Sequence, residues 1–439
     1  MPRHATISNT SRNLRALIPL GSAFVLSFSV LPASGQSPGA PAVQAAGNTG
    51  TQATDALTLQ AAIAMALASN AELSAARREL EAAEGPVLQG GARPNPELSF
   101  LLEDTQRATR TTTLQINQPI ELGGKRAARI SAAERGRDIA AAELAAKRAD
   151  LRATVVSAFY DVLLAQEHVK LAGDSTELAR RAADAAGKRV QAGKISPVEE
   201  TKARVAESTA RLEAAQAASE LRLSRQRLGA TWGDTSPRFE RVESDGALAS
   251  VPTFDAVSAR MAASPSLRRA QIELQRRSAL SDLERAKRTP DLTVSLGVKR
   301  DEQLGRNQAV IGLSIPLPLF DRNQGNLLEA LRREDKSRDE LAAADIQLRS
   351  SVTQAWGRLD TAGTEARTIR EQVMPGAKSA YDAATQGFEL GKFSFLDVLD
   401  AQRTLFQAQA QYLRARGEAH RAAADIDRLL GDGENLVAR

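Results

Sequence analysis

The chain of 439 residues contains no cysteine, which rules out disulfides and an N-terminal lipid-modified cysteine alike. That absence leaves the periplasm open as a location, because an oxidising compartment permits disulfides without requiring them. Aromatic residues are scarce, at 4% against 25% charged. Together with many alanines, this favours long helices packed through small side chains over a bulky globular core. Beyond the N-terminal segment the only histidines are His168 and His420, each alone on a charged helix; solvated surface roles are expected for both, and no metal site. The first 35 residues contain no acid but hold Arg3, Arg12 and Arg15, so without them the net charge of +5 falls by three to +2. A balanced chain with scattered charges gives no electrostatic case for a nucleic-acid partner.

The apolar run at 16–30 has about fifteen residues, short of the about 20 that a spanning helix needs. With arginines before it and Ala33, Ser34 and Gly35 after it, residues 1–35 read as an export signal peptide. Residues 36–54, rich in Pro, Gly, Ala, Gln and Thr, read as a flexible lead. Gly123-Gly124-Lys125 lacks the remaining spacing of a phosphate loop and is a strand-to-helix junction. No nucleophile, base and oxyanion constellation stands out. The chain is therefore expected to have no catalytic residue and no cofactor.

The chain says nearly the same thing twice. Asn70-Ala71-Glu72-Leu73 corresponds to Ser264-Pro265-Ser266-Leu267, Pro96-Glu97-Leu98 to Pro290-Asp291-Leu292, Gln118-Pro119-Ile120 to Ile315-Pro316-Leu317, and Gly193-Lys194-Ile195-Ser196 to Gly391-Lys392-Phe393-Ser394. The offset drifts only from 194 to 198. Two structural repeats are expected, at 55–232 and 253–432, joined by a linker at 233–252 and followed by a tail at 433–439. Each copy reads helix, two short strands, very long helix, turn, helix. In the second copy Leu341, Leu348, Ala355, Ala362 and Ile369 form one seven-residue row, and Val352, Leu359, Ala366 and Val373 another. The first copy has Leu144, Leu151 and Ala158, with Val155, Val162 and Val169. A strict period of seven implies left-handed supercoiling against neighbouring helices. The long helix of the first copy is expected over 124–192, with shorter helices at about 57–89 and 197–229 stacked end to end beside it.

Between the helices the period changes to two. Leu292, Val294, Leu296 and Val298 alternate with Thr293, Ser295, Gly297 and Lys299, and Ile311, Leu313 and Ile315 follow with Gly312 and Ser314 between them. Leu98, Phe100 and Leu102, then Leu114 and Ile116, repeat the pattern in the first copy. Strands of this kind suit a transmembrane barrel with lipid outside and water inside. Four strands cannot close alone in lipid, because their edges would carry unpaired backbone groups. Oligomerisation is therefore required by this reading.

The twofold plan, the strand exit Gln118-Pro119-Ile120-Glu121-Leu122-Gly123-Gly124-Lys125-Arg126, and the stretch Gly391-Lys392-Phe393-Ser394-Phe395-Leu396-Asp397-Val398-Leu399-Asp400-Ala401-Gln402-Arg403 resemble TolC-like outer-membrane efflux proteins. The strand exit is most similar to the heavy-metal branch, the outer-membrane subunits of cobalt-zinc-cadmium-type systems. The resemblance implies a mainly α fold with a small β part: long coiled-coil hairpins form an α-barrel, and four strands per chain join a trimeric 12-stranded transmembrane β-barrel. It also implies a passive exit duct in the outer membrane with a long periplasmic extension. The expected partners are two further copies, outer-membrane lipid, a periplasmic adaptor and a proton-driven inner-membrane pump of the resistance-nodulation-division type; the cargo is heavy-metal cations. A type I secretion exit or a drug-efflux exit would read much the same, and a periplasmic coiled-coil adaptor without a pore is the rival from another class.

The turns at Gly193 and Gly391 are the expected periplasmic tips. Glycine ends each incoming helix, and Ser196 and Ser394 are placed as N-caps with Glu199 and Asp397 completing capping boxes. Val190, Gly193, Ile195, Ser196, Phe388, Gly391, Phe393, Ser394 and Phe395 are the expected adaptor contacts. Asp397 and Asp400 share one helical face. The resemblance implies that such aspartates line a periplasmic gate, where three chains would gather six carboxylates.

Overall fold

The structure, a computed structural model, describes residues 56–431 other than 245, 246, 391 and 394, and gives the backbone alone for Glu389, Phe395 and Leu396. The expected export segment 1–35, the lead 36–54 and the tail 433–439 lie outside the described residues.

Strand β1 (Ala56–Thr58) leads into α1 (Leu59–Ser69), α2 (Ala71–Ala82) and α3 (Glu84–Gly91). The single helix expected at 57–89 is thus broken. At Asn70 the backbone is extended (ψ 124°), its Oδ1 accepts from the Leu73 N–H at 2.9 Å and its Nδ2 donates to the Thr231 carbonyl at 2.9 Å. The capping asparagine is local, but the carbonyl that fixes its amide is 161 residues away, so helical periodicity carries no trace of the break.

Strands β2 (Glu97–Glu103) and β3 (Thr111–Ile120) precede α4 (Lys125–Gln191), which runs 67 residues, or roughly 100 Å at 1.5 Å per residue. Leu144, Ala165, Ala172, Ala179 and Ala186 lie buried along it at multiples of seven. Helix α5 (Pro197–Ala230) returns beside it with its own buried row of Ala203, Ala210, Ala217 and Ser224. Small residues on both sides let the two axes approach closely, and the common period keeps the seam aligned. Strand β4 (Arg241–Glu243) then pairs in parallel with β1. This small sheet and Trp232 cover Val155, Val156, Phe159, Val162 and Leu163 of α4, forming an aromatic-containing core.

Helix α6 (Phe254–Ala259), a 3-10 turn and α7 (Pro265–Ala286) lead to β5 (Leu292–Asp301) and β6 (Arg306–Ser314). After them come α8 (Gln324–Thr368), α9 (Met374–Glu389) and α10 (Phe395–Leu430). Trp356 of α8 donates its indole N–H to the Pro252 carbonyl at 2.9 Å, tying the inter-repeat segment to the wall. Near the sheet the helices pack in the order α3, α4, α7, α8; towards the far end the order is α5, α4, α10, α9.

Helices α8 and α9 are joined by a π turn, Ile369–Val373, with right-handed helical backbone throughout and the Met374 N–H bonded to the Ile369 carbonyl. This turn corrects the expected row ending at Val373. Val352, Leu359 and Ala366 are buried, but Val373 is 42% exposed. The extra residue rotates everything beyond it by about 100°, so the rows resume one position late. Ile369 is followed by Ala377 and Ala384, and Ala366 by Met374 and Tyr381, all packed towards α10. Pro375 explains the position of the turn, since proline lacks an N–H and its ring collides with the carbonyl of an ordinary preceding turn. Deleting Gln372 while replacing Pro375 with Ala is expected to let an uninterrupted α-helix deliver the same faces. Thermal melts followed by circular dichroism should move by only about 2–4 °C, about 1 kcal/mol. Deleting Ala210 from α5, where no spare residue exists, should abolish the cooperative melt.

The four strands form one antiparallel sheet in the order β2-β3-β5-β6, so the outer edges of β2 and β6 are unpaired within the chain. The register aligns Leu98, Ile116, Leu296 and Ile311 across all four strands, with Phe100, Leu114 and Val298 in the adjacent row. All seven of these side chains are exposed on one face. The other face carries Ser99, Asn117 and Ser295, where Ser295 donates to Asn117 Oδ1 at 2.7 Å and Gln115 donates to the same oxygen at 3.2 Å. Gly297 is required on this polar face by close approach: a Cβ there would lie 2.5 Å from the Gln115 Cβ.

Candidate functional site: sheet exit and hairpin tips

The site has two ends joined by the long helices. At the sheet exit, Asp291 Oδ1 accepts from the Leu122 N–H at 3.1 Å and from Lys125 Nζ at 2.7 Å. One carboxylate of the second half thereby fixes the strand-to-helix turn of the first. Arg129 grips Glu121 with two nitrogens, and this pairing holds the Glu121 carboxyl below the usual carboxylate range. In the second half the equivalent turn uses Asn323, left-handed at φ 57°, whose Nδ2 donates to Glu284 at 2.7 Å. Burial works to raise the Glu284 carboxyl, but the hydrogen bonds from Asn323 and Lys287 outweigh it and leave it lowered.

At the far end, Gly193 adopts φ 65°, the left-handed conformation that closes the helix. Its N–H reaches the Val190 carbonyl at 2.9 Å, and the Lys194 N–H reaches that of Arg189 at 2.9 Å. Ser196 caps α5 through the Val198 N–H at 3.3 Å, and Pro197 follows at the first helical position. The reciprocal arm of the expected capping box is not made: the Glu199 carboxylate instead accepts from Lys202 at 3.1 Å, one turn further on. The second-copy counterparts Gly391 and Ser394 lie outside the described residues.

The tip side chains divide into two sets. Ile195 turns inward onto Ala183, Ala186 and Ala203 and stabilises its own hairpin. Phe388 is half-buried beneath the Arg189 guanidinium, 4.3 Å from ring centroid to Cζ, which links the two hairpins of one chain. Val190 is also half-buried. Phe393 lies over Gly387 and remains 51% exposed, while Leu390, which the sequence pattern did not single out, is 71% exposed. Of Phe395 only the backbone is described, at the first position of α10. Asp397 and Asp400 are exposed one turn apart on α10, flanking the buried Val398. The first-copy equivalents are of opposite charge, and Glu199 and Lys202 pair with one another at 3.1 Å.

Higher on the first hairpin, hydrogen bonds from Arg180 and then Arg181 hold the Glu177 carboxyl at about 2. His168 is exposed, with Nδ1 3.4 Å from a Glu220 oxygen. His420 departs from its expected surface role. It is 2% exposed, stacked on Tyr160 with centroids 3.7 Å apart, and its Nε2 lies 3.1 Å from the Ala247 carbonyl. A histidine on a charged helix looks solvated until the partner helix and the inter-repeat segment are placed over it. The described residues contain no group of three or more His, Asp or Glu that could hold a metal ion. No described helix is long and apolar enough to cross a membrane.

The chain is thus a doubled hairpin-and-strand unit with an open amphipathic sheet at one end and two exposed aspartates near the hairpin tip at the other. Residues 62–234 and 257–432 match the outer membrane efflux protein family, and the chain belongs to it. Members of this family are passive channels and not enzymes. The chain is 52% identical to the cobalt-zinc-cadmium resistance protein CzcC of Cupriavidus metallidurans, over 87% of this chain and 91% of that one. It is 27% identical to the nickel-cobalt-cadmium resistance protein NccC of Alcaligenes xylosoxydans xylosoxydans, over 74% and 71%. Among solved structures, CusC superposes with a TM-score of 0.73 at 18% identity, covering 85% of this chain and 92% of that one. The outer membrane protein VceC of Vibrio cholerae gives 0.72 at 20%, covering 85% and 96%. These likenesses establish the TolC-like fold.

Proposed function

We propose that this protein is the outer-membrane exit duct of a tripartite heavy-metal efflux system. In this reading three copies close a 12-stranded barrel, and their helices form the periplasmic tunnel. The observation that carries the reading is the sheet: four strands with two unpaired edges, one face with a central band of exposed Leu98, Phe100, Leu114, Ile116, Leu296, Val298 and Ile311, the other mostly polar. In lipid such edges must be paired, and two more copies related by a threefold axis supply the pairing. The apolar face then meets lipid and the Ser99, Asn117 and Ser295 face meets water. Divalent metal cations as cargo follow from the likeness to CzcC and NccC, whose names record resistance to cobalt, zinc, cadmium and nickel.

The exposed tips, with Phe393 and Leu390 foremost, are the surface for a periplasmic adaptor, and the driving energy comes from a proton-driven inner-membrane pump. Asp397 and Asp400 form the gate. Six carboxylates around the axis attract cations and raise their local concentration at the mouth.

Detergent-solubilised protein from the outer-membrane fraction is expected at the mass of three chains; a soluble monomer would refute the proposal. In planar bilayers Asp400→Ala removes three charges while leaving assembly intact. Cation preference and divalent block should both weaken by roughly two- to tenfold, most at low ionic strength where screening is least. Unchanged selectivity and block in a normally assembled trimer would remove Asp400 from the gate.

A further inference from the structure

Helix α5 carries a second seven-residue row that its own hairpin does not use. Val198, Val205 and Leu212 are 57%, 60% and 60% exposed, on the side of the helix opposite the Ala203, Ala210 and Ala217 seam that packs on α4. Large apolar residues at heptad spacing on an exposed face are knobs without holes. At this end of the wall α5 is one open edge, and α9 is the other.

Helix α9 offers the complement. Its face towards α10 is Met374, Ala377, Tyr381 and Ala384. About 100° around the helix lies a second stripe of Val373, Gly376, Ala380 and Ala383, all exposed and free of charge. This stripe continues the buried rows of α8 at strict sevens from Ala366 and Ile369, and it faces outward only because the π turn rotates it off α10. The fold thus spends one residue to give α9 two apolar faces.

The heights of the two rows agree. Arg189 of α4 sits over Phe388 of α9, which fixes α9 relative to α4. A Cβ on Gly187 of α4 would meet the Glu200 carboxylate 3.2 Å away, which fixes α5. Helix α5 rises from the tip as α9 descends to it, so Val205 is level with Ala380 and Ala383, Leu212 with Val373 and Gly376, and Val198 with Leu390.

We infer that the Val198, Val205 and Leu212 row of one copy seats as knobs in the Val373, Gly376, Ala380 and Ala383 stripe of a second copy of this chain. This antiparallel seam is set in register by the π turn. A threefold axis preserves height, which is why levels measured within one chain apply between chains. The inference rests on the trimer proposed above and extends the pairing of the sheet edges to the opposite end of the wall. The α9 stripe carries no charge, and the one charge among the α5 knobs, Lys202 between Val198 and Val205, is paired with Glu199 of its own helix at 3.1 Å, so the contact can part and reseat without breaking an ion pair between copies.

The absence of cysteine makes the test clean. Val205→Cys combined with Ala383→Cys is expected to give disulfide-linked dimers and trimers on mild oxidation of the membrane fraction. Each single variant should stay monomeric on a denaturing gel. Moving the first cysteine to Ala206→Cys turns the sulfur about 100° away and should lower the yield roughly tenfold. Tyr381→Cys with Leu405→Cys is the control, linking α9 to α10 within one chain. If native mass gives a trimer and the control pair closes but Val205 and Ala383 do not link, the seam is overturned while the duct reading stands. A monomeric mass overturns both.

Discussion

Leu296→Arg is expected to abolish outer-membrane assembly. Leu296 is central in the apolar row, between Ile116 on β3 and Ile311 on β6, and it is 57% exposed within the single chain. That exposure is what makes the substitution decisive: in a soluble protein an exposed Leu tolerates a charge at almost no cost. In the proposed barrel Leu296 faces lipid, where the same change costs about 2–4 kcal/mol in each chain, and closure by three copies would impose it three times. Outer-membrane fractions should lose the protein while the periplasm accumulates unassembled or degraded chain. Ser295→Arg, one residue away on the polar face, is the matched control and should assemble. Equal assembly of the two variants would show that the faces are not lipid and water.

Phe159→Ala is expected to produce the largest loss of stability in the helical wall, about 3–5 kcal/mol. Phe159 is fully buried between α4 and the small β1/β4 sheet, edge-on to Tyr160 with centroids 5.7 Å apart. The α4–α5 seam is held by alanines, and the core of the second half by smaller aliphatic side chains such as Leu348, Leu359 and Ile426. Phe159 heads the largest fully buried side chains, so its truncation leaves the largest cavity. Thermal unfolding of the purified protein should show the shift, and a change below about 1 kcal/mol would mean that the cluster collapses to fill the space. Ala217→Leu tests the opposite limit, since overpacking a closed alanine seam costs about 1–3 kcal/mol.

The exposed pair Asp397 and Asp400 was legible because the two repeat at helical spacing where the first copy has Glu199 and Lys202. The tip contacts were legible only as composition. Ile195 and Phe393 occupy equivalent positions in the two copies, yet one folds onto its own hairpin and the other remains open. The difference depends on what stands beside each turn, which no local pattern encodes. Leu390 escaped notice for the same reason.

By itself the sequence determined the long helices, the four strands of the amphipathic sheet and most of their faces, though not the short strands β1 and β4. A period of seven fixes which stripe of a helix is buried, and a period of two fixes which side of a strand is apolar, because side-chain direction follows backbone geometry residue by residue. The 67-residue α4 and the alternation in β5 and β6 follow from those two numbers. Tertiary structure decided whatever depends on a partner distant in the chain. Asn70 breaks a helix because its amide meets Thr231, and His420 is buried because Tyr160 and Ala247 come to cover it. The π turn at Ile369–Val373 combines both causes: Pro375 forbids the ordinary turn locally, but only packing against α10 decides that the spare residue turns Val373 outward and Met374 in.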